Sequence, residues 1–239
     1  MYFDLVLYGN IMLNIYHGSE NIIEKPYYGG GKPYNDYGRG FYCSETPDAA
    51  REWSVGAGRD GIMNKYLLDT DGLAVLHLNN GNYTILHWLG ILLQNRRFPL
   101  NSPLAREAVR YITEKFPVPY ERSDIIIGYR ADDSYFSFAS DFVNGTISVR
   151  QLEEAMHLGR LGEQVVLKSR ESFERIRFDG YELVKASEWY PKKEKRSLEA
   201  RKKYFTSDRN EWHKGELYIT TILDQEIGED DARIQRIVY

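Results

Sequence analysis

The chain has 239 residues, of which 42% are hydrophobic, and a formal net charge of −4. It is long enough to bury a full core, either as one large domain or as a domain with an appendage. The acidic balance excludes a bulk electrostatic attraction to nucleic acid or anionic membranes, and the single cysteine, Cys43, excludes an internal disulfide.

The N-terminal stretch, residues 1–12, is apolar but contains Asp4 and has no basic residue ahead of its apolar part. It is therefore predicted to be a strand and not a signal peptide. No apolar run approaches the length that spans a membrane. Together with the single cysteine, these features predict a cytoplasmic protein without a membrane partner.

The elements of the first half follow from apolar spacing and from turn residues. Thr46-Pro47-Asp48 is a strong helix start, with a hydroxyl N-cap, an early proline and an acid near the helix dipole. The strands are predicted at 11–16, 41–44, 65–69 and 73–78, and the further helices at 83–97 and 103–116.

The second half continues the alternation of strands and helices. Strands are predicted at 124–128, 164–168 and 177–184, and helices at 132–143 and 148–158. The fold class is therefore α+β, with short strands scattered along the chain.

A shift in composition after residue 185 predicts a boundary. Residues 191–196 and 199–203 are mostly basic and helical in pattern, and 208–239 has apolar spacing that suits packing on the main domain. We therefore divide the chain into residues 1–185 and a charged, mainly helical extension, 186–239. The basic run is either a solvated helix face or a surface for a nucleic acid or an acidic partner.

Two short segments near the N-terminus predict a small-molecule site. Tyr16-His17-Gly18-Ser19 offers an imidazole, a hydroxyl and backbone groups in a turn at a strand end, and residues 36–44 offer aromatic rings on a backbone with two glycines. This combination suits a flat heteroaromatic ring that carries an amide. The glycine-bearing stretch between them, 19–37, is predicted to be a mobile loop over the site.

These segments resemble the His and Tyr motifs of the ADP-ribosyltransferase superfamily, and more closely a bacterial branch of it catalogued as a domain of unknown function. The pattern covers roughly the first 180 residues and differs from the branch at Tyr37 and Ser44, where Phe and Thr are usual. Its parts are Tyr16 to Ser19, Asp36 to Ser44, Trp53, Ala131-Asp132-Asp133 and the strand that opens with Gln164.

The resemblance implies a split mixed sheet with inserted helices, and NAD as the co-substrate. It implies catalytic roles for His17, Tyr42 and Gln164. It implies that NAD is contacted by Tyr16, His17, Gly18, Ser19, Arg39, Phe41, Tyr42 and Trp53. In this interpretation His17 binds the adenosine ribose, Gly18 holds the carboxamide of nicotinamide, and the Tyr42 and Trp53 rings flank the nicotinamide ring.

The implied activity is mono-ADP-ribosyl transfer to a macromolecular acceptor, protein or nucleic acid. Its implied setting is the toxin of a toxin–antitoxin or phage-defence system, with a small antitoxin partner. The alternative function is a non-catalytic NAD-binding or interaction module of the same fold. That alternative arises because the best-known transferases have Glu where this chain offers Gln164, and an amide cannot act as a general base.

Several of these residues also have ordinary structural interpretations. Tyr42 suits sheet packing, Trp53 suits a core anchor of its helix, and Arg39 suits a turn. Alternation along the strand does not decide between Glu163 and Gln164 for the site.

Other chemistries find weaker support in the sequence. Asp132 or Asp133 is a candidate base, or simply part of an acidic helix N-terminus. A Cys43–His17 nucleophilic pair is conceivable. The spacing of the five histidines predicts no metal site.

Overall fold

The computed structural model describes residues 12–131, 133–158, 162–206 and 211–235. Residues 1–11 of the predicted strand 1–12, Asp132, and the apolar residues Ile237 and Val238 lie outside these ranges. The described strands are β1 (Met12–Ser19), β2 (Phe41–Ser44), β3 (Gly61–Asp69), β4 (Val75–His77), β5 (Ile125–Tyr129), β6 (Glu163–Leu167) and β7 (Ile176–Val184).

The helices alternate with these strands and dominate the C-terminal part. They are α1 (Pro47–Ser54), α2 (Ile85–Asn95), α3 (Pro103–Lys115), α4 (Asp133–Val143), α5 (Val149–Met156), α6 (Arg170–Glu174), α7 (Ala186–Thr206), α8 (Ile219–Asp224) and α9 (Ala232–Gln235). The predicted α+β class is confirmed. Among the described residues, no helix is long and apolar enough to cross a membrane.

The strands form one mixed sheet in the order β4-β5-β6-β2-β1-β3-β7. Only β4 and β5 are parallel, and every other neighbouring pair of described strands is antiparallel. Strands β1 and β2 meet at a single residue pair, Tyr16 and Ser44, whereas β1 pairs with β3 along its whole length. The sheet is therefore nearly divided into a four-stranded and a three-stranded part, with a seam between β1 and β2.

Both faces of the central strands are buried, which explains their continuous apolar sequences. Ile126 and Val166 belong to the larger core cluster, with helices such as α2 and α5, while Ile125 and Val165 belong to a second cluster. A strand that is covered on both faces cannot show polar alternation. For this reason β5 and β6 appear as plain apolar runs in the sequence.

The segment after β7 packs on the same core. Ile219, Ile222, Ile227 and Ile234 are buried in the larger cluster together with Trp88. Most side chains of the preceding helix α7 are exposed, so α7 spans the surface while the residues after it complete the core.

One local prediction is wrong. The sequence places His17, Gly18 and Ser19 in a turn, but β1 continues to Ser19, which pairs with Ile62 of β3. The extension is possible because Gly18 lies against α1, where an added Cβ would be 2.1 Å from the carbonyl oxygen of Ala50. A side chain at this position would push the helix away from the strand, so glycine allows the strand to continue.

Candidate functional site

A cavity of about 480 Å³ opens at the seam between β1 and β2. This volume is within the range of pockets that hold small ligands. Of the residues that the resemblance assigns to the NAD site, the structure brings six to this one cavity: Tyr16, His17, Gly18, Tyr42, Trp53 and Gln164. Their assigned roles stay predictions, but their convergence is a property of the fold.

His17 is held in one tautomer. Its Nδ1 is 2.7 Å from the carbonyl oxygen of Tyr42, which can only accept, so Nδ1 carries the proton and Nε2 is an acceptor. Burial lowers the pKa of His17, and the nearby charge of Arg130 lowers it further against the effect of the backbone hydrogen bond. The imidazole is therefore neutral near pH 7 and suited to accepting a hydrogen bond from a hydroxyl.

Tyr42 uses its hydroxyl to close the loop before β2. The hydroxyl donates to the carbonyl oxygen of Gly38 at 2.6 Å and accepts from the backbone N–H of Tyr37 at 3.0 Å. Burial raises the pKa of the Tyr42 hydroxyl far above its ordinary range. Tyr42 is therefore a neutral ring fixed in orientation, and its chemistry toward a ligand is that of an aromatic surface.

The buried carboxylate of Asp36 fixes Gln164. Gln164 Nε2 donates to Asp36 Oδ2 at 2.8 Å and to the Tyr129 carbonyl oxygen at 3.2 Å. Asp36 Oδ2 also accepts from the N–H of Ala131 at 2.9 Å, and Arg96 lies 3.6 Å from Oδ1. The Gln164 oxygen, Oε1, accepts no hydrogen bond from any residue that the structure describes.

Burial also sets the titration of Asp36. It raises the pKa of the carboxyl above its usual value, against the lowering effect of its hydrogen bonds and of the two arginines, Arg96 and Arg130. Asp36 is only 6% exposed and Gln164 5%, so the pair is shielded from bulk water. In the sequence Asp36 is part of the second motif, but no role in the site was predicted for it.

Glu163 lies outside the cavity. Its carboxylate is 3.0 Å from His77 Nε2 and accepts a hydrogen bond from Asn79 Nδ2 at 2.5 Å. Adjacent strand residues point to opposite faces, so the side that Glu163 occupies leaves Gln164 on the cavity side. The structure thus places the glutamine, and not the glutamate, at the seam.

Trp53 stands at the end of α1 with 46% of its surface exposed, whereas Ala49 and Ala50 of the same helix are buried. The core-anchor interpretation of Trp53 is therefore wrong. Its ring lies 5.1 Å from the guanidinium carbon of Arg130 and 5.7 Å from Lys193 Nζ. These cations sit over an aromatic face that borders the cavity.

Three predicted contact residues do not line the cavity. Arg39 donates to the carbonyl oxygen of Gly29 at 2.7 Å, as the turn interpretation expected. Ser19 donates to the carbonyl oxygen of Asn21, and Phe41 packs behind His17 with ring centroids 4.5 Å apart. These residues position the loop and the imidazole and do not form the cavity wall.

Cys43 cannot act as the nucleophile of a Cys–His pair. It is fully buried in the second core cluster, and burial raises the pKa of its thiol well above the usual range. A thiol that stays protonated and inaccessible is not nucleophilic. The candidate base Asp132 lies outside the described residues, as does the side chain of Asp133.

None of the cations at the cavity is assigned to the site by the sequence motifs. Arg96 follows α2, Arg130 follows β5, and Lys193, Arg196 and Arg201 come from α7. The sequence marks the α7 cations only as part of a basic run and gives no sign of Arg96 or Arg130, because these side chains converge only when distant elements fold together. Glu52, the residue before Trp53, also lines the cavity, and its carboxylate pairs with Arg196 at 2.7 Å.

A segment that matches a known family contains most of the cavity residues. The family described as protein of unknown function (DUF3990) matches residues 13–178. This chain belongs to that family. Its matched segment begins at β1 and ends within β7, so it contains every cavity residue predicted from the sequence. Helix α7 lies beyond it, and neither a curated protein nor a solved structure matches the chain.

Proposed function

We propose that this member of the DUF3990 family is a mono-ADP-ribosyltransferase that cleaves NAD and transfers ADP-ribose to a macromolecular acceptor. One observation carries the proposal: residues from four separate segments, His17, Tyr42, Trp53 and Gln164, line a single cavity. A site for a nicotinamide ring and a ribose requires aromatic surfaces and neutral hydrogen-bonding groups. These four side chains supply both.

The reaction breaks the bond between nicotinamide and ribose, and positive charge develops on the ribose ring as in other glycosyl transfers. The Tyr42 and Trp53 rings would hold the leaving group without adding positive charge beside it. The neutral His17 would accept from a ribose hydroxyl through Nε2, because Nδ1 is already committed to the Tyr42 carbonyl. Holding both parts rigidly lowers the entropic cost of reaching the transition state.

The Asp36–Gln164 contact answers the objection that glutamine carries no charge. Asp36 accepts a hydrogen bond from Gln164 Nε2 at 2.8 Å. Donation to a carboxylate polarises the amide and increases the electron density on its oxygen, Oε1. Oε1 then becomes a stronger acceptor for a ribose hydroxyl as charge develops. In this proposal Asp36 is a positioning residue and Gln164 is the residue that touches the substrate.

The arginines at the cavity suit the pyrophosphate of NAD. Arg130 is buried, lines the cavity and donates to the Ser44 hydroxyl, and Arg96 lines it beside Asp36. Guanidinium groups bind phosphate oxygens through paired, charge-assisted hydrogen bonds. The cavity therefore offers cations for the pyrophosphate of a dinucleotide as well as aromatic rings for its nicotinamide.

The resemblance extends the proposal to the setting in which the protein works. The protein acts in the cytoplasm, where NAD is available, as the toxin of a toxin–antitoxin or phage-defence system with a small antitoxin as partner. The second candidate function, a non-catalytic NAD-binding or interaction module, is favoured by one observation, an amide in place of a carboxylate at Gln164. The transferase and a non-catalytic NAD-binding module both require NAD to bind in this cavity.

Calorimetric titration with NAD tests that shared requirement. We expect the wild type to bind and His17→Ala to bind at least tenfold more weakly. The control His157→Ala removes an exposed imidazole just after α5, outside the cavity, and should bind like the wild type. Thermal melts establish that each variant is folded. Equal NAD affinity of His17→Ala and the wild type would exclude the cavity as the NAD site.

A further inference from the structure

Helix α7 concentrates positive charge in an otherwise acidic chain. Residues 186–206 contain seven Lys or Arg and three Glu, while the whole chain has a net charge of −4. Of this helix, only Ala186, Ala200 and Tyr204 are buried. Five of its seven cations are therefore exposed to solvent, and Lys193 and Arg196 are partly buried.

One face of α7 forms a wall of the cavity. Lys193, Arg196 and Arg201 line it, and Arg196 is fixed to Glu52 of α1 by an ion pair of 2.7 Å. The helix lies beyond the segment that the family match covers. The cavity is thus bounded in part by an element outside the matched segment, and this element contributes three cations to the wall.

The outer face of α7 continues the basic surface away from the cavity. Lys195 and Lys202 are seven residues apart, and so are Leu198 and Phe205, so each pair lies on one stripe of the helix. Leu198 is 68% exposed and Phe205 60% exposed. The helix therefore presents Lys195 and Lys202, with Glu199 between them, beside an aromatic ring that is mostly exposed.

We propose that α7 is a docking surface for single-stranded nucleic acid and that this nucleic acid is the acceptor of the transferred ADP-ribose. Lysines along one side of a helix attract the phosphates of a polyanion, and an exposed ring stacks on bases without regard to sequence. An acidic protein would pair with the cations but has no bases to stack on the Phe205 ring. The observations therefore favour nucleic acid over an acidic protein.

The transfer half of this inference rests on the proposed function. The acceptor nucleophile, a base nitrogen or a hydroxyl oxygen, forms a bond to the anomeric carbon of the NAD ribose. The bond from that carbon to nicotinamide breaks, and nicotinamide leaves as a neutral molecule with the bonding electron pair. The proton of the nucleophile passes to water, so no oxidant or further co-reactant is needed.

The test is fluorescence anisotropy of the full chain with a labelled single-stranded oligonucleotide of about 16 nucleotides, as RNA and as DNA, without NAD. Lys195→Gln/Lys202→Gln removes two outer cations that do not line the cavity. The matched control, Lys115→Gln/Arg122→Gln, removes two exposed cations from α3 and the turn after it. Phe205→Leu removes the ring and keeps the apolar volume.

We expect the wild type to bind at least one of the two oligonucleotides. Removing Lys195 and Lys202 lowers affinity about tenfold at physiological salt and reduces the magnitude of the salt slope by about 1.4, the value for two phosphate contacts. Phe205→Leu weakens binding at least fivefold, as expected for loss of about 1 kcal/mol of stacking, with the slope unchanged. The control variant binds like the wild type.

Three results would overturn the docking surface: no oligonucleotide binding, equal losses in the control, or equally tight binding of poly-glutamate with no effect of Phe205→Leu. NAD titration of the same preparation separates this failure from that of the proposed function. A protein that binds NAD but no oligonucleotide refutes only the inference. One that binds the oligonucleotide through α7 but neither binds nor cleaves NAD supports docking and refutes the transfer.

Discussion

At the scale of single residues, the site is built from neutral groups whose orientation is fixed by their neighbours. His17 is fixed by the Tyr42 carbonyl, Tyr42 by Gly38 and Tyr37, and Gln164 by Asp36. Each side chain therefore presents one defined surface to the cavity. Preorganisation of this kind removes the cost of ordering the site when a ligand binds.

The exposed ring of Trp53 gives a prediction that separates binding from stability. Trp53→Ala should weaken NAD binding at least tenfold and lower the free energy of unfolding by no more than about 1 kcal/mol, because the side chain is 46% exposed. Trp53→Phe retains an aromatic face and should keep most of the affinity. Calorimetry and urea unfolding measure the two effects.

The matched control is Trp212→Ala, which removes another exposed tryptophan, 65% accessible, from outside the cavity. It should leave NAD affinity unchanged. A large loss of stability in Trp53→Ala with unaltered NAD affinity would return Trp53 to a structural role.

The lowered pKa of His17 gives a prediction about pH. The unfolded chain takes up a proton near the ordinary histidine pKa of 6.5, but the folded chain takes it up only at lower pH, because burial disfavours the charged imidazole. Stability from the neutral form is therefore fully present above about pH 6.5 and is lost as the pH falls below that value.

Urea unfolding at about pH 7.5 and about pH 5 measures this difference for the wild type and His17→Gln, which does not titrate. The wild type should lose more stability on acidification than the variant. Parallel losses in both proteins would show that His17 keeps its ordinary pKa in the fold.

At the scale of elements, the single residue pair between β1 and β2 creates the seam, and α1 covers it. Gly18 allows this arrangement, since a Cβ there would be 2.1 Å from the Ala50 carbonyl oxygen and 2.7 Å from the Ser54 nitrogen. These are backbone atoms of α1 and cannot rotate away. The glycine of the first motif thus has a packing role as well as its proposed contact with nicotinamide.

Gly18→Ala should lower the free energy of unfolding by about 3 kcal/mol, at the upper end of the range for overpacking. The displacement of α1, which carries Trp53, should also weaken NAD binding. Gly228→Ala is the matched control, because a Cβ added at Gly228 would meet no atom of the described residues within 4 Å. Urea unfolding of both variants measures the difference, and equal stability would contradict the packing role.

The sequence predicted the elements well and their extents less well. Phe41–Ser44 was predicted with its observed bounds, and helices α2 and α3 within a few residues, because their apolar spacing and caps are local signals. The end of β1 was misplaced because its continuation depends on pairing with β3. Helix α6 was not predicted at all, since its five residues carry too short a pattern.

The candidate site was predictable only in part, for a related reason. The motif residues at the cavity could be found because they resemble a known pattern in order and spacing. Arg96 and Arg130 could not be found, and the basic run of α7 could not be placed at the cavity, because both contributions depend on contacts between distant elements. The choice between Glu163 and Gln164 needed the position of His77, which holds Glu163 on the other side of β6.

At the scale of the whole molecule, the described part of the extension 186–239 packs on the main domain and contributes to the site. The extension contributes six buried residues to the core cluster that contains α2, α3 and α5, namely Tyr204, Leu217, Ile219, Ile222, Ile227 and Ile234. Helix α7 also contributes a wall of the cavity. The described part of the extension therefore stabilises the fold and shapes the site at once.

Ile222, which is fully buried, tests this coupling. Ile222→Ala should lower the free energy of unfolding by about 2–5 kcal/mol and leave a single cooperative transition, because the void forms in a shared core. Thr221→Ala, a neighbouring substitution outside the core cluster, should cost much less. A separate early transition in the Ile222 variant, seen by calorimetry, would mean that the extension unfolds independently.

The most direct test of the central claim is NAD cleavage by the purified wild type, Gln164→Ala and Glu163→Ala, measured as nicotinamide release with labelled NAD and a cell lysate as acceptor source. We predict cleavage and label transfer by the wild type and by Glu163→Ala. We predict a loss of at least tenfold in the rate for Gln164→Ala, with a smaller change in NAD affinity, because its hydrogen bond strengthens as charge develops on the ribose. Absence of cleavage by the wild type, or abolition by Glu163→Ala with Gln164→Ala unaffected, would contradict the account.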